Sequence, residues 1–117
     1  MSRNWHLYWD DIIAACEKVL RYTDGMDRDT FVGDEKTYDA VLRNLEIIGE
    51  AAKNLPAEAR QLAGEIEWKK ICGFRDYLTH AYFGVDPDIV WSVVSDKVPQ
   101  LLTALRSVEL DPEQSNR

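Results

Sequence analysis

Between Gly73 and Asp86 the chain gathers an arginine, a histidine and tyrosines in the run Gly-Phe-Arg-Asp-Tyr-Leu-Thr-His-Ala-Tyr-Phe-Gly-Val-Asp. Arg75 is a permanent cation whose planar fork of donors suits the oxygens of a phosphodiester. His80 can give or take a proton near neutral pH. With no acidic cluster beside them for a divalent ion, the pair suits metal-independent work on RNA. The arginine would stabilise charge on the phosphoryl oxygens, and the histidine would move the proton of the ribose 2′-hydroxyl or of the leaving oxygen. DNA lacks that internal nucleophile.

The spacing limits how one chain could use them. Five residues along an ideal helix turn through roughly 140° net, so a single helix does not aim Arg75 and His80 at one atom. Arg75 and Tyr82, seven apart, fall on nearly one face. Asp76 stands one turn before His80, and with the negative end of the helix dipole it favours the imidazolium that a general acid requires. A long arginine can curl partway round the helix. A cleaner solution is a twofold dimer in which two copies of this helix end meet and pool their side chains. The plain alternative stays open: arginine and histidine at this spacing occur in many helices by chance, and a tyrosine at a helix end can simply pack there.

The elements that position this stretch read as helices. Residues 5 to 23 carry Tyr8, Ile12, Ala15, Cys16, Val19 and Tyr22 at three- and four-residue spacing, widened by Trp5, Trp9, Ile13 and Leu20, so this helix should be packed on more than one side. Trp5 and Trp9 could face a second subunit or the core. Gly25 is placed to cap the end in a left-handed conformation. Met26 to Asp34 reads as an irregular connection, tucked in by Phe31 and Val32. From Glu35 to Leu55 a second long stripe runs through Val41, Leu45, Ile48 and Ala52, and Gly49 beside Ala51 and Ala52 allows close approach of another helix. On that helix Arg43 and Glu50 are either part of a solvated face of weak ion pairs or support for a site formed by later helices.

Pro56 opens a short helix, Ala57 to Leu62, which Gly64 stops. Trp68 to Tyr82 forms the next helix, ended at Gly84. Asp86-Pro87 starts the last one, with the aspartate capping and the proline in the first turn. Pro99 should kink that helix or split it in two. No strand, repeat or low-complexity tract is seen. The expected architecture is an all-α, up-and-down bundle of four main helices plus one short extra helix, forming one domain over residues 1–108 with a polar, mobile tail at 109–117.

Composition agrees with that picture. At 117 residues, 45% apolar and 30% charged, the chain can close one core without a disulfide or metal. Cys16 and Cys72 sit in apolar-periodic segments and read as buried free thiols rather than a redox pair or ligands. No apolar run approaches the ~20 residues of a membrane span, and the start of the chain has no signal core, so a cytoplasmic protein without a membrane partner is expected. The net charge of −7 argues against a general nucleic-acid coating protein. A focused anion site remains open, because between Arg60 and His80 four positives, Arg60, Lys69, Lys70 and Arg75, face three negatives, Glu65, Glu67 and Asp76.

The segment Arg75 to Tyr82 matches the R-x-x-x-x-H-x-Y motif of HEPN-domain ribonucleases, and specifically resembles the HepT-like toxins paired with a minimal nucleotidyltransferase antitoxin. The likeness extends to Asp11-Ile12-Ile13, Phe31, Ile47 to Ala51, Trp68 to Ile71, Gly73 to Arg75, Tyr82-Phe83, Val85-Asp86 and Val90-Trp91, covering roughly residues 7 to 106. The resemblance implies a HEPN fold and a homodimer whose two motif copies form one composite cleft. Arg75 and His80 would be the catalytic pair and Asp76 the supporting polar residue, where the family often carries asparagine. Arg43 and Glu50, on the helical reading above rather than on the resemblance, are the candidates to support them. Tyr82 would be the tyrosine that the partner transferase adenylylates with ATP, silencing the toxin; no cofactor or metal of its own is implied. The expected activity is endonucleolytic cleavage of cellular RNA such as tRNA or mRNA. The rival readings are a noncatalytic helical binding subunit of a nucleotidyltransferase and, more weakly, a purely structural helical dimer.

Overall fold

A computed structural model describes residues 4–81 and 84–110, all helical or connecting, with no strand among them. Helix α1, Trp5–Tyr22, starts where the Asn4 side chain accepts from the His6 N–H at 3.0 Å. It buries Trp9, Ile12, Ala15, Cys16 and Val19 between α3, Glu35–Lys53, and α7, Val98–Arg106. The two-sided packing expected of its wide stripe is therefore met within one chain. Trp9 belongs to the core, and Trp5, half-buried, stacks on His6 at 3.8 Å between ring centroids.

Asp34 caps α3 by accepting from the Thr37 N–H at 3.1 Å, and Val41, Leu45, Ile48, Ala51 and Ala52 bury one stripe of it. The supposed irregular connection before it contains a second short helix, α2, Arg28–Gly33. Six residues are too few to print a helical period. What holds them is Asp27, accepting from the Thr30 N–H at 2.8 Å, and the wholly buried ring of Phe31 against Tyr38 and Trp91. Gly25 has the left-handed backbone expected, at φ 76°.

Helix α4, Ala57–Gln61, leads to α5, Trp68–His80. The Trp68 indole fastens this junction by donating to the carbonyls of Arg60 at 3.1 Å and Ala63 at 3.2 Å. Beyond Trp68 no side chain of α5 is fully buried; Ile71, Cys72, Phe74 and Leu78 lie half-covered against the core. Helix α6, Pro87–Ser92, begins as expected, with Asp86 accepting from the Asp88 N–H at 2.9 Å and Pro87 in the first turn.

The last helix is broken, as Pro99 required, by a π-helical turn at Val93–Lys97 between α6 and α7. Along it the buried residues Val90, Val94, Val98 and Leu102 recur at intervals of four, with Leu101 and Leu105 buried beside them. On an α-helix each such step drifts by about 40°, so three steps would carry Leu102 far round the axis. The wider turn takes up the drift. The Val98 N–H bonds to Val93 O across it, and Pro99, which has no N–H, sits in the first turn of α7.

With α6, the π-helical turn and α7 taken as one broken helix, the described residues hold two short helices, α2 and α4, where one was expected. Val108 and Leu110 rest half-buried against the core, and 111–117 of the expected tail lie outside the described residues. Among the described residues no helix is long and apolar enough to cross a membrane.

Candidate functional site

Arg75 lies where α5 packs tightly over Gly49 of α3. A β-carbon added to Gly49 would overlap the β-carbon of Arg75 and stand 2.8 Å from its γ-carbon and 3.3 Å from its Cα. The bare glycine is thus the seat on which the arginine rests, and the close approach read from Gly49, Ala51 and Ala52 is the one that places it. The guanidinium, with only 28% of the side chain exposed, reaches Glu50 at 3.0 Å and Asp76 at 3.4 Å.

Asp76 is in turn held by Lys53, whose Nζ donates to it at 2.8 Å. This lysine, and then the Arg75 guanidinium, keep the Asp76 carboxyl below the usual carboxylate range. The four side chains Glu50, Arg75, Asp76 and Lys53 make a charge-balanced chain across the two helices. Glu50 and Lys53 are one turn apart on α3, and the sequence allowed them to pair with each other; both instead turn to α5. Lys53 was missed as part of the site. Its one signal was that spacing, which puts it on the same edge of α3 as Gly49 and Glu50.

His80 is exposed in the last turn of α5, and its Nδ1 lies 2.9 Å from the main-chain oxygen of Asp76 rather than from the carboxylate expected as its partner. That carboxylate is bound to Lys53 on α3 instead. A carbonyl oxygen only accepts, so this hydrogen bond puts the hydrogen on Nδ1 and leaves Nε2 as the ring's acceptor. Thr79 donates to the Arg75 carbonyl at 3.0 Å and steadies the same turn.

Arg75 also walls a cleft of about 340 Å³ between α1, α3 and α5, together with Tyr8, Asp11, Arg43, Glu46 and Glu50. Arg43 reaches this cleft but pairs with Glu46, at 3.8 Å, and not with the Glu50 and Arg75 pair. His80 does not line the cleft. The structure therefore brings Arg75, Glu50 and Asp76 together, puts Arg43 on the adjoining wall, and leaves His80 on a different side of α5. Tyr82 lies outside the described residues. Tyr8 and Asp11 were read as part of the α1 stripe and of the family likeness but not of a site, because their place beside α3 follows from how α1 crosses it, not from any local pattern. Among the described residues no group of three His, Cys, Asp or Glu side chains could hold a metal ion.

Cys16 is buried in the core and Cys72 half-buried, both as free thiols. Burial pushes the Cys16 thiol up to about 12, so it stays protonated and inert at neutral pH.

A protein from Thermococcus cleftensis named probable ribonuclease HepT is 43% identical over 101 residues, which cover 86% of this chain and 92% of the relative. A protein from Caldanaerobacter subterraneus subsp. tengcongensis named "putative RNase" is 39% identical over 101 residues, 86% of this chain and 90% of its own length. A third, from Methanocaldococcus jannaschii and named gamma-glutamylcyclotransferase and "putative RNase", is 37% identical over 119 residues; it matches 100% of this chain, which spans 54% of that relative. No solved structure matches. A family model described as Ribonuclease HepT-like fits residues 12–108, taking in α3, the Gly49 seat and all of α5, and on that span the chain belongs to the HepT-like family of HEPN-domain ribonucleases.

Proposed function

We propose that the chain is a metal-independent endoribonuclease toxin of a toxin-antitoxin pair, acting in the cytoplasm on cellular RNA such as tRNA or mRNA. The observation that carries the reading is the split in α5: Arg75 is fixed in the cleft against Gly49 and Glu50, while His80 stands exposed on another side of the helix. One chain offers half a site. A homodimer about a twofold axis would bring the His80 of one copy to the Arg75 of the other, so that arginine binds the scissile phosphate and Nε2 of histidine serves the 2′-hydroxyl or the leaving oxygen.

The control partner is a minimal nucleotidyltransferase. The Tyr82 hydroxyl attacks the α-phosphorus of ATP, pyrophosphate leaves, the hydroxyl proton is lost, and the tyrosine keeps an adenylyl group whose bulk and negative charge repel RNA. A second reading, a noncatalytic subunit of that transferase, is favoured by one feature: both carboxylates beside Arg75 already occupy its fork.

The test is cleavage of RNA in the presence of a chelator. Arg75→Ala and His80→Ala should each abolish cleavage with the helical content unchanged, and mixing the two variants should restore part of it through mixed dimers. Cleavage by both single variants at the parent rate would refute the site. Coexpression with an adjacent transferase should add adenylyl-sized mass that Tyr82→Phe loses; an unmodified complex that cuts no RNA would favour the second reading.

A further inference from the structure

The cleft beside Arg75 is larger than a phosphate requires and has the wrong charge for one. Its walls carry three carboxylates, Asp11, Glu46 and Glu50, against two guanidiniums, Arg43 and Arg75, and Glu50 is already spent on Arg75. A second phosphate placed inside would face more lining carboxylates than guanidiniums. An uncharged, flat group with N–H donors would not. The volume of about 340 Å³ falls at the small end of the ~300–1,000 Å³ typical of ligand pockets, and Tyr8 and Ile47 supply an aromatic ring and an aliphatic surface for a ring to lie on.

Glu46 is the group that can read such a ring. Among the described residues its ion pair is with Arg43, at 3.8 Å and beyond hydrogen-bond reach, so the oxygens of this half-buried carboxylate keep their accepting capacity toward them. A carboxylate accepts two parallel N–H bonds from a matching edge. Among the four RNA bases only guanine presents two donors side by side, N1–H and the N2 amine. Adenine and cytosine each set one amine beside a ring acceptor, and uracil sets one N–H between two carbonyls; each would turn a lone pair toward Glu46.

We propose that this cleft is a nucleobase subsite that takes an unstacked guanine, with Tyr8 beneath the ring and Glu46 on its Watson–Crick edge, so that cleavage falls next to guanine. The inference rests on the ribonuclease reading for its role and deepens it to a base preference. Arg75 forms both the wall of the subsite and the grip on the phosphate, which ties the base read to the bond cut.

Two readouts separate this proposal from the reading beneath it. The first is binding: guanosine, inosine, adenosine and cytidine 3′-monophosphates are titrated into the whole protein and followed by amide shifts. Guanosine monophosphate should bind roughly tenfold tighter than the others, with shifts centred on Tyr8, Glu46 and Ile47, and inosine monophosphate, which keeps N1–H and lacks the N2 amine, should lose most of that advantage. Glu46→Gln should bring the four ligands to within about threefold of one another. The second readout is the ratio of kcat/KM between oligoribonucleotides that differ by one guanine-to-adenine change, which should fall by about tenfold in Glu46→Gln. Equal binding of all four ligands, or shifts confined to another face, would overturn the subsite even if RNA is cut. Absence of cleavage with guanine-selective binding intact would refute the nuclease reading and leave the subsite standing.

Discussion

Gly49 and Arg75 occupy what would ordinarily be one side chain's space: the arginine's β-carbon sits where a β-carbon on residue 49 would have to go. The position of Arg75 is therefore set by backbone contact between α3 and α5, before any charge acts on it. Gly49→Ala should gain about 1 kcal/mol of helix propensity and lose about 1–3 kcal/mol to overpacking, because the neighbour at 3.3 Å is the Arg75 Cα and cannot swing aside. Net destabilisation of about 1 kcal/mol in urea titration, with RNA cleavage reduced at least tenfold, is the expected result.

Glu50 acts on the other end of the same side chain. It is 57% exposed, so its pair with Arg75 adds less than about 1 kcal/mol to stability. Its effect should appear in rate instead. Glu50→Ala should leave the thermal midpoint nearly unchanged and lower kcat by about tenfold or more, since the guanidinium loses a fixed direction. Equal kcat in parent and variant would show that Gly49 and Asp76 suffice to aim it.

Asp76 tests the balance of charge. Asp76→Asn frees Lys53 from its 2.8 Å bond and removes a negative charge beside Arg75. RNA should bind more tightly at low salt, and the slope of log K against log salt should steepen by about 0.7, the increment for one more phosphate neutralised on a single strand. Acid should act in the same direction on the parent protein. Because the Asp76 carboxyl is held below the usual range, its bond to Lys53 persists through neutral pH and is lost only as the pH falls through that lowered value.

Cys16 gives a pH dependence at the opposite end. Unfolded, its thiol ionises above pH ~9; folded, it holds its proton until about 12. The folded state binds more protons in that window, so stability declines as pH rises, by about 1.4 kcal/mol per pH unit from this group alone. Between pH 9 and 11, unfolding free energies of Cys16→Ala should fall less steeply than the parent's by about that slope.

The sequence made α1, α3 and α5 legible because each is long enough to repeat its apolar positions, and it showed Arg75, Asp76 and His80 because they share one helix whose spacing can be computed. Glu50 was legible only as one of two options, and its ion pair proves to be with Arg75 on α5 rather than with Lys53 on its own helix. Arg43 shows the limit of that reasoning: it sits on the same helix and the same cleft, yet pairs with Glu46. Lys53 reaches Asp76 across 23 residues of chain, and Tyr8 meets the cleft by the crossing of α1 over α3; neither relation has a local period. Helix α2 was hidden for a different cause, since a capped single turn pinned by Phe31 has no stripe to display.

The π-helical turn at Val93–Lys97 also determines where this chain can change length. It winds in one residue more than a continuous α-helix would use, so deleting Ser95 should keep Val90, Val98 and Leu102 facing inward, with the bend that Pro99 imposes still in place. Deleting Gln100, a few residues on, has no slack to draw on. It would turn Leu101, Leu102 and Leu105 by about 100° relative to the preceding helix, away from the core they now fill. Thermal melts of the two deletions should therefore differ widely although each removes a single exposed residue, making this turn the point in the last helix that tolerates a shorter chain.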